Sequence, residues 1–221
     1  MSSAFEDIIK GGAANLGIDI SPSKLNCLLI YFNELKRWSK AYNLTALREE
    51  REIALRLFLD SLSYHVVSCP YRAERAVDVG SGAGFPGLVM ALFRPETEFT
   101  LIEPSKKKSA FLRNIVAKLS LKRVSVFEAT LEEFVSSEAG EFSLITTRAL
   151  FSAKELLKKT LPIQSRQAVL ILSKGKNYRE ELKELEGLSE SIISSYRIKH
   201  QAMRLPSSSI TRNFIIIERT A

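Results

Sequence analysis

Between Ala76 and Gly87 the chain reads Ala-Val-Asp-Val-Gly-Ser-Gly-Ala-Gly-Phe-Pro-Gly. A short apolar run ends in a glycine-rich turn, and Pro86 to Phe93 then has the starting proline and apolar filling of a helix. Glycines at Gly80, Gly82 and Gly84 suit a loop whose backbone N–H groups must come close to a ligand and whose turn visits positive φ. Gly82-Ala83-Gly84-Phe85-Pro86-Gly87 matches G-x-G-x-x-G literally. The match gains force from context: it follows a strand-like run, opens a helix, and an acid, Glu103, stands about 20 residues on at the end of the next apolar run, where a carboxylate reaches ribose hydroxyls. The expected ligand therefore contains a ribose.

Two such ligands compete, a nicotinamide dinucleotide and S-adenosylmethionine. Asp78 discriminates, because a carboxylate just before the turn repels a pyrophosphate and suits the ammonium of a methionine moiety, directly or through water. A second role for Asp78 is equally chemical, as acceptor for the loop's own N–H groups.

These residues need a scaffold. Residues 1 to about 70 read as helical. Ser21-Pro22 is a helix start, and Leu25, Leu28, Phe32 and Leu35 recur at helical spacing. A turn at Asn43-Leu44-Thr45 precedes a helix with Glu49, Glu50 and Glu52 in its first turn. From Arg75 the pattern changes to alternating strands (Ala76 to Val79, Phe99 to Ile102, Val124 to Phe127, Phe142 to Ile145, Ala168 to Leu172) and helices (Pro86 to Phe93, Lys108 to Leu119, Leu131 to Phe134, Ala153 to Leu161, Arg179 to Glu186). Such units imply a mostly parallel, doubly wound α/β sheet covered on both faces. Two β-like runs, Ser191 to Lys199 and Phe214 to Glu218, flank the turn-like Leu205-Pro206-Ser207-Ser208-Ser209 and are expected to pair antiparallel at the sheet edge. The domains expected are a helical lobe over residues 1–70 and a ligand-binding domain over 71–221.

The chain has 221 residues and a formal net charge of +7. Residues 1–70 hold 8 basic and 8 acidic side chains, so the whole excess belongs to residues 71–221. Within those, Arg94 to Arg123 carries 8 basic against 3 acidic residues, which points to a polyanionic partner such as nucleic acid. Lys106-Lys107-Lys108 at a helix start, where cations work against the helix dipole, and Lys174-Gly175-Lys176 after the fifth strand are candidates for RNA phosphates, with Arg204 and Arg212 beside them. Trp38 and Tyr42 either stack on a base or pack in the lobe. Cys27 and Cys69 make no disulfide framework, and with the two histidines they form no metal motif. No signal-like start and no 18-residue apolar run occur, so a cytoplasmic protein that engages no membrane is expected.

Trp38-Ser39-Lys40-Ala41-Tyr42-Asn43-Leu44-Thr45, Asp60-Ser61, Asp78 to Gly87, Leu131-Glu132-Glu133-Phe134 and Arg148-Ala149, in that order, resemble the ribosomal RNA small subunit methyltransferase G family, also called glucose-inhibited division protein B. The resemblance runs from about Leu25 to the C-terminus. It implies a class I methyltransferase (Rossmann-like) fold with a helical N-terminal extension, S-adenosylmethionine as cofactor, and methylation of guanosine N7 in 16S ribosomal RNA; the partner expected is that RNA or a small-subunit assembly intermediate, and the chain is expected to be a monomer. It implies cofactor contacts at Gly80 and Phe85, at Leu131 and Glu132, and at Arg148; of the two groups Arg148 could orient, the methionine carboxylate and guanine O6, the carboxylate is the one expected. Ser39, Leu57, Thr130 and Arg219 stand where the family usually has Asn, His, Arg and Lys. No catalytic side chain is singled out. The rival functions are transfer to another RNA or a small molecule, and a nucleotide-binding regulatory module without transfer activity.

Overall fold

The computed structural model describes residues 4–137, 140–148, 150–175 and 177–220. Lys176 and Ala149, singled out above, lie outside the described residues. Seven strands form one sheet, β1 (Arg75–Val79), β2 (Glu98–Ile102), β3 (Val124–Phe127), β4 (Phe142–Arg148), β5 (Gln164–Lys174), β6 (Tyr196–Arg204) and β7 (Thr211–Arg219). Their order is β3-β2-β1-β4-β5-β7-β6. β1 to β5 pair in parallel, while β7 runs antiparallel to both β5 and β6. The order reverses at β1, so the carboxyl ends of β1, β2 and β4 surround the crevice where open α/β sheets bind ligands.

The expected β-run from Ser191 to Lys199 needs correction. A short helix occupies Glu190–Ile193, and the strand begins only at Tyr196 and continues to Arg204. Ser189 precedes that helix with extended backbone, and the N–H groups of Ile192 and Ile193 donate to its carbonyl, so local helical bonding wins over a strand that would have begun five residues too early.

Three helical stretches come first. They are α1 (Ala4–Asn15), α2 (Pro22–Tyr42), and a continuous helix made of α3 (Glu50–Ile53), a π-helical turn (Ala54–Leu59) and α4 (Asp60–Ser68). Ser21 caps α2 through Lys24 N, and Asn43 ends it in the left-handed region. These helices do not form a separate ball. Phe5, Leu28, Tyr31, Phe32, Phe58 and Leu62 share one hydrophobic cluster with Phe85 and with the buried faces of α5 (Gly87–Phe93) and α6 (Lys106–Lys118). The opposite face of the sheet is covered by α7 (Leu131–Ser137), α8 (Ala153–Thr160) and α9 (Tyr178–Glu186), through Phe134, Leu156, Leu157 and Leu185. Among the described residues no helix is long and apolar enough to cross a membrane.

Candidate functional site

The glycine turn follows β1 directly. Gly82 has φ +60, and a Cβ built there would meet nothing nearer than Gly80 O at 4.0 Å, so this face of the turn is open. Gly84, with φ +95, faces the other way: a Cβ there would lie 2.4 Å from the Tyr31 hydroxyl and 3.0 Å from Leu88 and Leu112. Gly80 is covered by the exposed Leu150 side chain. Tyr31 OH donates to Ala83 O, and its ring stacks on Phe85 with centroids 5.0 Å apart. Phe85 is buried between Tyr31 and Phe58. The helical lobe thus holds the turn from behind while one side of it stays open.

Glu103 directly follows β2 with its carboxylate against the turn. Oε2 accepts from Gly82 N at 2.8 Å and Oε1 from Ser105 N at 3.0 Å. Each oxygen keeps a lone pair for a further donor.

Asp78 is fully buried beneath the turn, with Oδ2 accepting from Gly87 N at 3.0 Å and Oδ1 from Thr146 Oγ1 at 2.9 Å. Burial pushes its carboxyl above the usual range, against the pull of those hydrogen bonds. Of the two roles the sequence left open, this geometry has the character of the loop acceptor. Leu131 is buried at the start of α7, which Thr130 and Glu133 cap reciprocally. Glu132 is exposed and pairs with Lys159.

A second depression opens beside the turn, a cleft of about 320 Å³ between the lobe and the carboxyl ends of β4 and β5. Thr45 and Leu47, Arg56 and Asp60, Arg148, and Lys174 with Arg212 line it from five segments. Asp60 organises it. Fully buried at the end of the π-helical turn, it takes Arg212 in a bidentate grip, Nε–Oδ1 2.7 Å and Nη2–Oδ2 3.2 Å, with Arg148 Nη1 3.5 Å from Oδ2. Arg148 also donates to Arg56 O at 3.0 Å, and its guanidinium lies 5.8 Å from the Phe85 ring centre, so it borders both turn and cleft. Tyr64 OH, on α4, donates to Thr147 O at 2.8 Å and accepts from Ser173 N at 2.9 Å, pinning the ends of β4 and β5 to each other.

The basic residues selected from sequence divide. Arg212 is in the cleft wall. Lys174 reaches the same wall, but its ammonium is bound to Phe151 O and pairs with Glu181 at 2.8 Å. Arg204 is exposed at the β6–β7 turn, bonded to Ser208 O, and Lys106 is exposed at the start of α6. Neither lines the cleft. Tyr31, Asp60 and Tyr64 carry much of the architecture, yet sequence reasoning gave none of them a role. Their only signals were helical spacing for Tyr31 and membership of a quoted motif for Asp60.

The GidB family model, rRNA small subunit methyltransferase G, matches residues 24–206. Proteins named ribosomal RNA small subunit methyltransferase G are 32% identical over 212 residues in Acinetobacter baumannii, covering 96% of each chain, and 30% identical over 216 residues in Alkaliphilus oremlandii, covering 97% of this chain and 90% of that one. Among solved structures, a putative O-methyltransferase from Klebsiella pneumoniae superimposes with a TM-score of 0.65 at 13% identity, covering 99% of this chain and 97% of that one. Cofactor-bound Rv0187 from MTB does so at 0.64 and 14%, covering 100% and 99%. At such low identity these two establish the class I methyltransferase fold alone. The match to the family model spans the turn, the cleft residues other than Arg212 and most of the lobe that joins them, and this chain belongs to the rRNA small subunit methyltransferase G family.

Proposed function

We propose that this chain is an S-adenosylmethionine-dependent methyltransferase acting on N7 of a guanosine in 16S ribosomal RNA, as a cytoplasmic monomer. One juxtaposition carries the reading: a glycine turn with an open face and a carboxylate at its edge adjoins a cleft walled by Arg56, Arg148 and Arg212, with Arg148 bordering both. Membership of the family supplies the reaction class and the RNA acceptor.

The residues fit the donor. Glu103 has free lone pairs for ribose hydroxyls, the open face at Gly82 admits close backbone approach, and the backbone of Leu131 and Glu132 would hold the adenine. Asp78 acts through the loop whose Gly87 N–H it holds, and Phe85 with Gly80 and Gly84 shapes that loop. When bound, S-adenosylmethionine supplies an electrophilic methyl group. Guanine N7 bears a lone pair and no proton. The chain therefore needs no general base, in keeping with a turn and cleft whose described lining residues include no histidine or cysteine. Its task is orientation, which contributes roughly 7–11 kcal/mol in favourable cases. Arg148 and Arg212, aligned by Asp60, present N–H donors to the acceptor nucleotide.

The test is methyl transfer from labelled donor to naked 16S RNA, partly assembled small subunits and unrelated small molecules, with the modified atom mapped. Label at a guanine N7 of 16S RNA is expected, and transfer to a small molecule alone overturns the assignment. By calorimetry the donor binds and NADH does not. Glu103→Ala should weaken donor binding roughly 10–100-fold, the worth of about 1.5–3 kcal/mol for hydrogen bonds to a charged group.

A further inference from the structure

A second basic depression lies on the helical lobe, in the segment whose formal charges cancel. About 320 Å³ in volume, it is lined by Lys36, Ser39 and Lys40 of α2, by Asn43 and Arg48 of the following turn, and by Leu47 and Ile53 at its base. Three of those seven residues are cations and none is an acid. The nearby Glu50 pairs with Lys36. Arg48 is fastened by Nη1 to Thr45 O at 3.3 Å and by Nη2 to Asn43 Oδ1 at 3.1 Å, so its guanidinium is held in place while its charge has no carboxylate partner among the described residues. Lys40 is exposed and makes no ion pair among the described residues. Leu47 lines both this depression and the Asp60–Arg148–Arg212 cleft, so the turn from Asn43 to Arg48 is the wall between them.

Two fixed or exposed cations over a small concave surface suit a phosphate oxygen group, and adjacency to the acceptor cleft says whose phosphate it is. We infer that this pocket binds a backbone phosphate of the RNA strand flanking the target nucleotide, with Lys40 and Arg48 as the contacts. The inference rests on the proposed RNA methyltransferase function and extends the RNA footprint onto the lobe. The plain alternative is that Lys40 serves only the C-terminal dipole of α2. That alternative predicts a stability change with no change in RNA binding.

The experiment uses the full chain, with Lys40→Glu, Arg48→Lys and the double variant Lys40→Ala/Arg48→Ala. Each is checked for an unaltered thermal transition and unaltered donor binding by calorimetry, and Arg72→Ala, in a depression at the amino ends of β1, β4 and β5, serves as control. For the double variant, KM for 16S RNA should rise at least tenfold with kcat within twofold. The slope of log affinity against log salt should flatten by roughly 0.7–0.9, the contribution of the one phosphate that the protein no longer neutralises. Arg48→Lys, which keeps the charge, should recover most of the affinity, and Lys40→Glu should lose more than the alanine change. An RNA KM and salt slope in the double variant equal to wild type overturn the inference while leaving the proposed function standing. Wild-type protein that transfers no methyl group to RNA overturns both. Inorganic phosphate titrated alone distinguishes a free anion from a strand: micromolar binding to wild type that Lys40→Glu abolishes, with RNA KM unchanged, reassigns the pocket and overturns the RNA contact.

Discussion

At the scale of single residues the glycine turn has two sides, and substitutions there should separate binding from folding. Gly82→Ala puts a methyl group into open space at φ +60, so it should cost stability only about 1–2 kcal/mol for the left-handed backbone, yet lower donor affinity tenfold or more. Gly84→Ala drives a methyl group into the Tyr31 hydroxyl and should destabilise by roughly 2–4 kcal/mol in urea unfolding, through strain and overpacking together. If both changes altered stability equally and donor binding equally, the two-sided account of the turn would be wrong. His65 gives a pH signature of its own. Burial first, then Arg94 and Lys24, lower its pKa from 6.5 to about 4, with Glu96 opposing, and its ring lies against Phe93. The unfolded chain takes up a proton as pH falls below about 6.5 while the folded chain waits until about 4, so stability is full above 6.5 and declines between those values. With the part-exposed position of the ring allowed for, the loss is about 2 kcal/mol, and His65→Gln should flatten the urea midpoint over that window.

At the scale of elements the site depends on how a single continuous helix meets the sheet. The π-helical turn from Ala54 to Leu59 brings Arg56, Leu57 and Asp60 to the cleft, and one turn later Tyr64 bonds the ends of β4 and β5. Widened turns of this kind recur at functional sites, since they re-aim side chains that a regular helix would turn elsewhere. Tyr64→Phe leaves the Ser173 N–H without its buried acceptor and should lower stability by about 1–3 kcal/mol. Because Arg148 and Lys174 directly follow the pinned residues, the same variant should also raise KM for RNA while leaving donor affinity at wild-type level. Calorimetry and steady-state kinetics on one preparation check both halves, and a loss of donor affinity as large as the loss of RNA affinity would refute the local role.

At the scale of the whole molecule the helical lobe and the sheet share a core. Residues 71–221 expressed alone would uncover Phe85, Leu88, Val89, Phe111, Leu112 and Ile115. At about 1.5–3 kcal/mol for each large side chain, that exposure rivals the entire stability of a domain, roughly 5–15 kcal/mol. Such a fragment should show no cooperative thermal transition by circular dichroism, and a sharp transition would mean that the lobe is dispensable for folding. The strand-helix alternation, the turn from Gly80 to Gly84, Glu103 at the end of β2 and the antiparallel edge were all legible in the sequence, because hydrophobic period and turn chemistry are local properties that neighbouring residues carry in their order. Where the edge strand begins was misread, because the short helix at Glu190–Ile193 competes locally with strand pairing. The selection of Gly87 N–H and Thr146 as the partners of Asp78, the grip of Asp60 on Arg148 and Arg212, the support of the turn by Tyr31 and the basic pocket in a charge-neutral lobe belong to the tertiary structure alone. Each joins residues from about 9 to about 150 positions apart, and a linear pattern holds no record of which distant side chains burial will bring within hydrogen-bonding distance.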